Sequence, residues 1–253
     1  MPLLYIHLSI AKDTADLLEH PLLSGNMGCY LGGAISPDAH LVSNVSRRET
    51  HFFDLDNEMC ESGVSKMFSD HPDLSRAGTS DTRMKCFVAG YLSHLVTDEV
   101  WIGDIYRPFF GRHSQLAGDP MANVYDRLLQ FEVDRRERSD KAKLEAIRSE
   151  LSSWEPDNHI DFIDIKALRY WREFGCASAN REVTVGDFST FAKSFLKPRL
   201  KMSEAQLERF LSSVNSKIDW VVRYVTPERL EDFKRKSTAL SVTVVKGYLN
   251  EDH

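Results

Sequence analysis

Apolar residues recur every three or four positions along most of this chain, the period of a helix with one buried face. Leu3, Leu4, Ile6, Ile10, Ala11, Leu17 and Leu18 predict a first helix over residues 3–19, with His7 on its apolar side. Residues 26–33 read as a short helix stopped by Gly32-Gly33, and 34–39 as a loop fixed by Pro37. A short helix is expected over 58–69 and a polar loop over 71–80. The stretch from Phe87 to Trp101, entered near Asp81, is apolar around much of its circumference and predicts a buried helix. His94 and Asp98 interrupt it four residues apart, on one face. Residues 102–113 are aromatic and broken by glycine and proline, and read as a loop lining a pocket. Asp119-Pro120 opens the next helix, which runs to Arg138 and ends in a mixed-charge segment, 134–138, read as a solvated face. Further helices are expected over 140–153, 160–176, 185–196, 203–224 and 227–249, with capping signatures at Thr184 and at Ser203 with Gln206. Only Leu240 to Val245 leaves a strand open as an alternative. The pattern describes one all-α domain over residues 1–253, a multi-helix bundle whose polar interruptions crowd into the first 135 residues.

Composition narrows the function classes. The chain has 253 residues, 42% of them hydrophobic and 28% charged, ordinary values for a globular domain. A net charge of −6 argues against general nucleic-acid binding. It leaves a nuclease open, because a bound metal supplies local positive charge. Cys29, Cys60, Cys86 and Cys176 form no C-x-x-C pair, and Cys29 and Cys86 read as small buried hydrophobes. Met1 to His7 lacks a basic leader, and no window reaches the roughly 20 apolar residues of a membrane span. The expected setting is cytoplasmic, with no transmembrane segment.

Five residues carry the candidate chemistry: His7, Asp38, His51, His94 and Asp98. Each has an ordinary reading: a satisfied core histidine for His7, turn chemistry for Asp38 after Pro37, and a core hydrogen bond for His94 with Asp98. A buried Asp98 nevertheless needs a partner or a metal, since an uncompensated buried carboxylate costs several kcal/mol. Three histidines and two aspartates suit Zn²⁺ or a similar ion better than Ca²⁺. Asp54 to Asn57, after His51, reads as an Asx-rich turn. Arg47, Arg48 and Arg112 are candidates to neutralise phosphate charge, with surface solvation the leading reading for Arg47 and Arg48, and Tyr91, Trp101, Tyr106, Phe109 and Phe110 are read chiefly as core. There is no nucleophile elbow, phosphate-cradling glycine loop or dinucleotide fingerprint.

Taken in order, these segments resemble the zinc-dependent phospholipase C family, within the superfamily that includes single-strand-specific zinc nucleases. Tyr5-Ile6-His7-Leu8 is similar to its first-helix histidine segment, and Asp38 after Gly33-Ala34-Ile35 to its bridging or water-activating aspartate. Thr50-His51-Phe52-Phe53-Asp54-Leu55-Asp56-Asn57 is close to its Ser-His-Phe-Tyr-Asp-Pro-Asp-Asn stretch, and Tyr91 to Asp98 to its helical His-x-x-x-Asp pair. The resemblance covers about the first 130 residues. It implies a helical bundle holding zinc through His7, Asp38, His51, His94 and Asp98, with Asp38 a candidate catalytic base. It also implies a small-molecule or lipid phosphodiester substrate hydrolysed by a metal-activated water. Where the family has further ligands this chain offers Asp104 and His113. In place of a His-x-x-x-Glu pair it has Ala122 to Asp126, which keeps the acid and loses the histidine. Asp104, His113, Asp126 and Glu132 are therefore the candidates for a second zinc. Two other classes stay open: a non-catalytic metalloprotein with one zinc site, and a metal-free helical interaction protein with buried hydrogen-bond networks.

Overall fold

The computed structural model describes residues 2–53, 62–75, 81–157, 160–179, 184–193, 197 and 202–250. Among the described residues the regular elements are helical, and the β structure is an isolated bridge between Ile160 and Ile163. The helices used below are α1 (Leu4–Leu18), α2 (Pro21–Gly25), α3 (Met27–Ile35), α4 (Arg47–His51), α5 (Gly63–Asp70) and α6 (Thr82–Trp101). They continue with α7 (Ala122–Glu137), α8 (Lys141–Ser153), α9 (Ile165–Ala179), α10 (Val185–Phe191), α11 (Glu204–Ser212), α12 (Val214–Val225) and α13 (Pro227–Asn250). None is long and apolar enough to cross a membrane. Leu240 to Val245 lies inside α13, so its β-branched residues serve a helix.

The architecture is organised around α6. Asp81 caps it, accepting from the N–H groups of Arg83 and Met84 at 3.2 Å. Its most extensive neighbours are α3 and α13. Cys86 to Leu95 join one apolar core with α3, α8 and α9, while Val96 to Trp101 join a second with α7, α12 and the start of α13. Helix α1 is likewise divided, giving Tyr5, Leu8 and Ala11 to the first core and Ile6 and Ile10 to the second. The stretches Leu4–Ala11 of α1 and Cys86–Asp98 of α6, buried on all sides, thus run between the cores, and they carry His7, His94 and Asp98.

Several boundaries differ from the sequence expectation. Gly32 and Gly33 do not stop α3, which runs to Ile35 and tightens into a 3₁₀ segment over Ser36–Val42. The glycines allow close packing instead. A Cβ on Gly33 would lie 1.9 Å from the Phe87 carbonyl oxygen, and one on Gly90 would lie 1.8 Å from that of Tyr30. The α3 and α6 backbones therefore touch. Residues 102–109 are not a loop: α6 continues as a π turn over Ile102–Tyr106 and a short helix over Arg107–Phe109. Pro108 sits in the first turn of that last piece, where a missing N–H is tolerated. Of the helix expected over 58–69, residues 58–61 lie outside the described residues and 63–69 fall in α5; α7 starts at Ala122, with Asp119 bonding the Met121 N–H at 2.7 Å. The expected helix over 203–224 is two, joined at Ser213.

The 134–138 segment is only partly a solvated face. Asp134 is buried and accepts from the Tyr5 N–H at 3.0 Å, supplying the cap that Leu3 cannot give to the N-terminus of α1. Its other oxygen accepts from Arg138 Nε at 2.6 Å, and Arg138 in turn donates to the Ser178 carbonyl at 2.6 Å. Asp134→Ala leaves a buried guanidinium without its carboxylate, so we expect a loss of about 3 kcal/mol, read as a lower urea midpoint at unchanged slope.

Candidate metal centre

The five residues singled out by sequence converge on one buried point. His7 comes from α1, Asp38 from the 3₁₀ segment, His51 from the last position of α4, and His94 and Asp98 from α6; all are buried. Helix α4 is short, but a Ser46–Glu49 capping box starts it, Phe52 ends it at φ 60°, and the Tyr91 hydroxyl donates to the Thr50 carbonyl.

Backbone and hydroxyl partners fix the two central imidazoles. His94 Nδ1 lies 2.8 Å from the Ala34 carbonyl oxygen, which can only accept, so Nδ1 carries the proton. That carbonyl is open to it because the residue three positions on is Pro37, which has no N–H to return. The close approach of α3 and α6 at Gly33 and Gly90 brings it within reach. His51 Nδ1 lies 2.9 Å from Thr50 Oγ1, a hydroxyl that also reaches the Arg47 carbonyl at 3.2 Å. When the hydroxyl hydrogen goes to that carbonyl, Nδ1 is the donor. Both rings, when neutral, then present bare Nε2 lone pairs, and those two atoms are 3.3 Å apart. Lone pairs facing each other repel unless a cation or a shared proton lies between them.

The spacing suits a metal better than hydrogen bonds. His51 Nε2 is 3.4 Å from Asp98 Oδ2 and 3.5 Å from Asp38 Oδ1, and His7 Nε2 is 3.5 Å from Asp98 Oδ1. A tetrahedron of ligands about 2.0–2.1 Å from zinc has donor atoms about 3.3–3.4 Å apart. Good N–H···O bonds are nearer about 2.9 Å. Two donor groups result, His7–His94–Asp98 and Asp38–His51–His94, with each group's ligand atoms within 4.8 Å of one another. His94 belongs to both, and Asp98 turns one oxygen toward His7 and the other toward His51.

The ordinary readings do not hold at these distances. His94 and Asp98 are 3.9 Å apart, too far for the core hydrogen bond that their i,i+4 spacing allows. His7 is not a satisfied core histidine: neither ring nitrogen has a hydrogen-bond partner, nor has Asp98 Oδ1. The His7 ring lies parallel to that of His94, centroids 3.7 Å apart. Burial pushes His94 down to about 3, with the charge of His7 adding to the effect, and burial lowers His51 as well. Burial alone would raise Asp38 and Asp98. His51, His94 and His7, in the forms that donate or carry charge, outweigh it and hold both carboxyls below their usual range. Neutral imidazoles and ionised carboxylates are the states that metal ligation requires.

No protein-family model, curated protein or solved structure matches this chain. The functional reading rests on the side chains themselves.

The remaining candidates fall elsewhere. Asp104 is bound by Lys236 Nζ at 2.7 and 2.9 Å on the surface. Asp126 accepts from Trp101 Nε1 at 3.0 Å and Gln130 Nε2 at 2.6 Å. Glu132 is held by Arg135 and Arg136, and Arg112 Nε donates to His113 Nε2 at 3.1 Å with both side chains exposed. Among the described residues, these four do not join the potential metal groups. Asp54, Asp56 and Asn57 lie outside the described residues. Two residues at the centre stand outside the expected ligand set. Arg47, expected in solvent, donates from Nη2 to Asp98 Oδ2 at 3.0 Å and lies over the Phe53 ring. His40 packs edge-on to His51 with centroids 5.2 Å apart, its Nδ1 tied to the Pro37 carbonyl at 3.0 Å. A histidine two residues after Asp38 on a tight turn was the available signal.

Proposed function

We propose that this chain is a zinc-type metallohydrolase acting on a phosphodiester. The observation that carries the metal reading is the set of 3.3–3.5 Å separations linking the Nε2 atoms of His7, His51 and His94 with one another or with the carboxylates of Asp38 and Asp98, all buried. Asp38, His51 and His94 would hold one ion, and His7, His94 and Asp98 form a second, overlapping donor group. When bound, such an ion supplies a water of lowered pKa and polarises the oxygen of the scissile group.

The protein side chains divide the remaining work. Asp38 is the carboxylate nearer solvent, its side chain 11% exposed against 0% for Asp98. It is the group placed to take a proton from an incoming water. Asp98 stays fully enclosed and orients the histidines around it. The phosphodiester class is supported by the resemblance of the His7, Asp38, His51 and His94 segments and by the guanidinium at the rim.

A second reading, a non-catalytic metalloprotein with the same centre, is favoured by one observation: Asp104, Asp126 and Glu132 are committed to other partners. Turnover separates the two. Zinc-reconstituted protein should hydrolyse bis(p-nitrophenyl) phosphate, lose activity to a chelator and regain it with zinc, and Asp38→Asn should lower kcat about 100-fold or more. A full zinc load with no phosphodiester turnover would favour the second reading.

A further inference from the structure

We propose that Arg47 is the anion-binding residue of the centre, gripping a tetrahedral oxyanion of the phosphate type beside the metal. This inference rests on the metal reading above.

Arg47 begins α4 and reaches back over the cluster that His51 enters from the other end of the same helix. Four observations give it a ligand-binding role. Its Nη2 donates to Asp98 Oδ2 at 3.0 Å, so the guanidinium is anchored at the candidate ligand set rather than free in solvent. The group lies over the Phe53 ring, carbon to centroid 4.8 Å, which fixes its plane. Its Nε is buried with no hydrogen-bond partner, an unused donor on a fork with five N–H bonds. Finally, the side chain is 21% exposed, so an incoming group can meet the fork while one edge stays on Asp98.

Charge points the same way. Asp38, Asp98 and Arg47 together leave the cluster one negative charge, and a divalent ion turns that into one positive charge. Without the arginine the loaded centre would be neutral. A solvated arginine would confer neither this local charge nor the fixed geometry. A guanidinium held by one carboxylate still has a free edge for bidentate contact with an oxyanion, which an ammonium does not reproduce. Arg48, the next residue, is exposed and outside the cluster, and serves as the matched control.

The test uses the full chain loaded with saturating zinc, inorganic phosphate as the probe, calorimetric titration as the readout, and the zinc content of every sample measured in parallel. Wild type should bind phosphate with zinc present and not after chelation. Arg47→Met should keep the wild-type zinc content and lose phosphate affinity about tenfold or more. Arg47→Lys, which keeps the charge, should fall between them, and Arg48→Met should match wild type. Should Arg47→Met fail to fold, Arg47→Lys alone decides by whether its phosphate affinity falls. Undiminished phosphate binding in a zinc-loaded Arg47 variant would overturn the proposal. So would zinc-loaded wild type that binds no phosphate, or an Arg47→Met protein that folds but holds no zinc, since the arginine then serves only to keep Asp98 in place. A wild type that takes up no zinc would instead overturn the metal reading on which the proposal stands.

Discussion

Replacing His94 by alanine is expected to abolish stable zinc binding while leaving a folded helical protein. His94 is the side chain common to both donor groups, and its Nε2 faces that of His51 at 3.3 Å. Loss of a residue that merely orients a ligand typically costs 10–100-fold in metal affinity, so loss of the ligand itself should cost at least about 100-fold. The effect should be visible as stability. Zinc at about 100 times its dissociation constant stabilises a folded protein by about 2.7 kcal/mol, roughly 5–10 °C in Tm for a chain of this size. His94→Ala should lose that zinc-dependent increment. Its metal-free Tm should fall modestly, because a cavity forms and the Ala34 carbonyl loses its donor. A core hydrogen-bond role predicts something different: the variant would be destabilised by the same amount with and without zinc.

Gly90→Ala should be the most damaging small substitution in the fold. Its new methyl group would sit 1.8 Å from the Tyr30 carbonyl oxygen, a backbone atom that cannot swing away. The two helices cannot slide past the clash, because Gly33 meets the Phe87 carbonyl in the same interface. Overpacking of this kind should cost about 3 kcal/mol or more, or roughly 6–12 °C in Tm. The damage should also reach the centre, since separating α3 from α6 draws the Ala34 carbonyl away from His94. Gly103→Ala is the control. A Cβ there meets nothing within 4 Å, and the change should be neutral or stabilising by up to about 1 kcal/mol.

These two sites show what the sequence made legible. Helix α6 was readable from end to end, because its apolar periodicity and the Asp81 cap are both local signals. So was the crowding of His7, Asp38, His51, His94 and Asp98 in otherwise apolar sequence. What could not be read locally was what each residue faces. Gly32-Gly33 looks like a helix stop because glycine favours helix ends, whereas its role depends on Phe87 more than fifty positions away. The His94–Asp98 spacing suggested a pair, yet Asp98 faces His7 of α1 and His51 and Arg47 of α4 at 3.0–3.5 Å. Arg47 looked solvated because its neighbours Arg48 and Glu49 are polar, and only the turn of α4 brings it to a carboxylate 51 residues on. Asp134 sat in a charged run for the same reason, while its partner is the N-terminus of α1.

The central claim is that the five residues hold a metal, and zinc content tests it most directly. Protein prepared without chelators, reconstituted with zinc and then desalted should retain at least about one zinc per chain by elemental analysis. Less than about half a zinc per chain, in protein that remains folded, would contradict the metal centre.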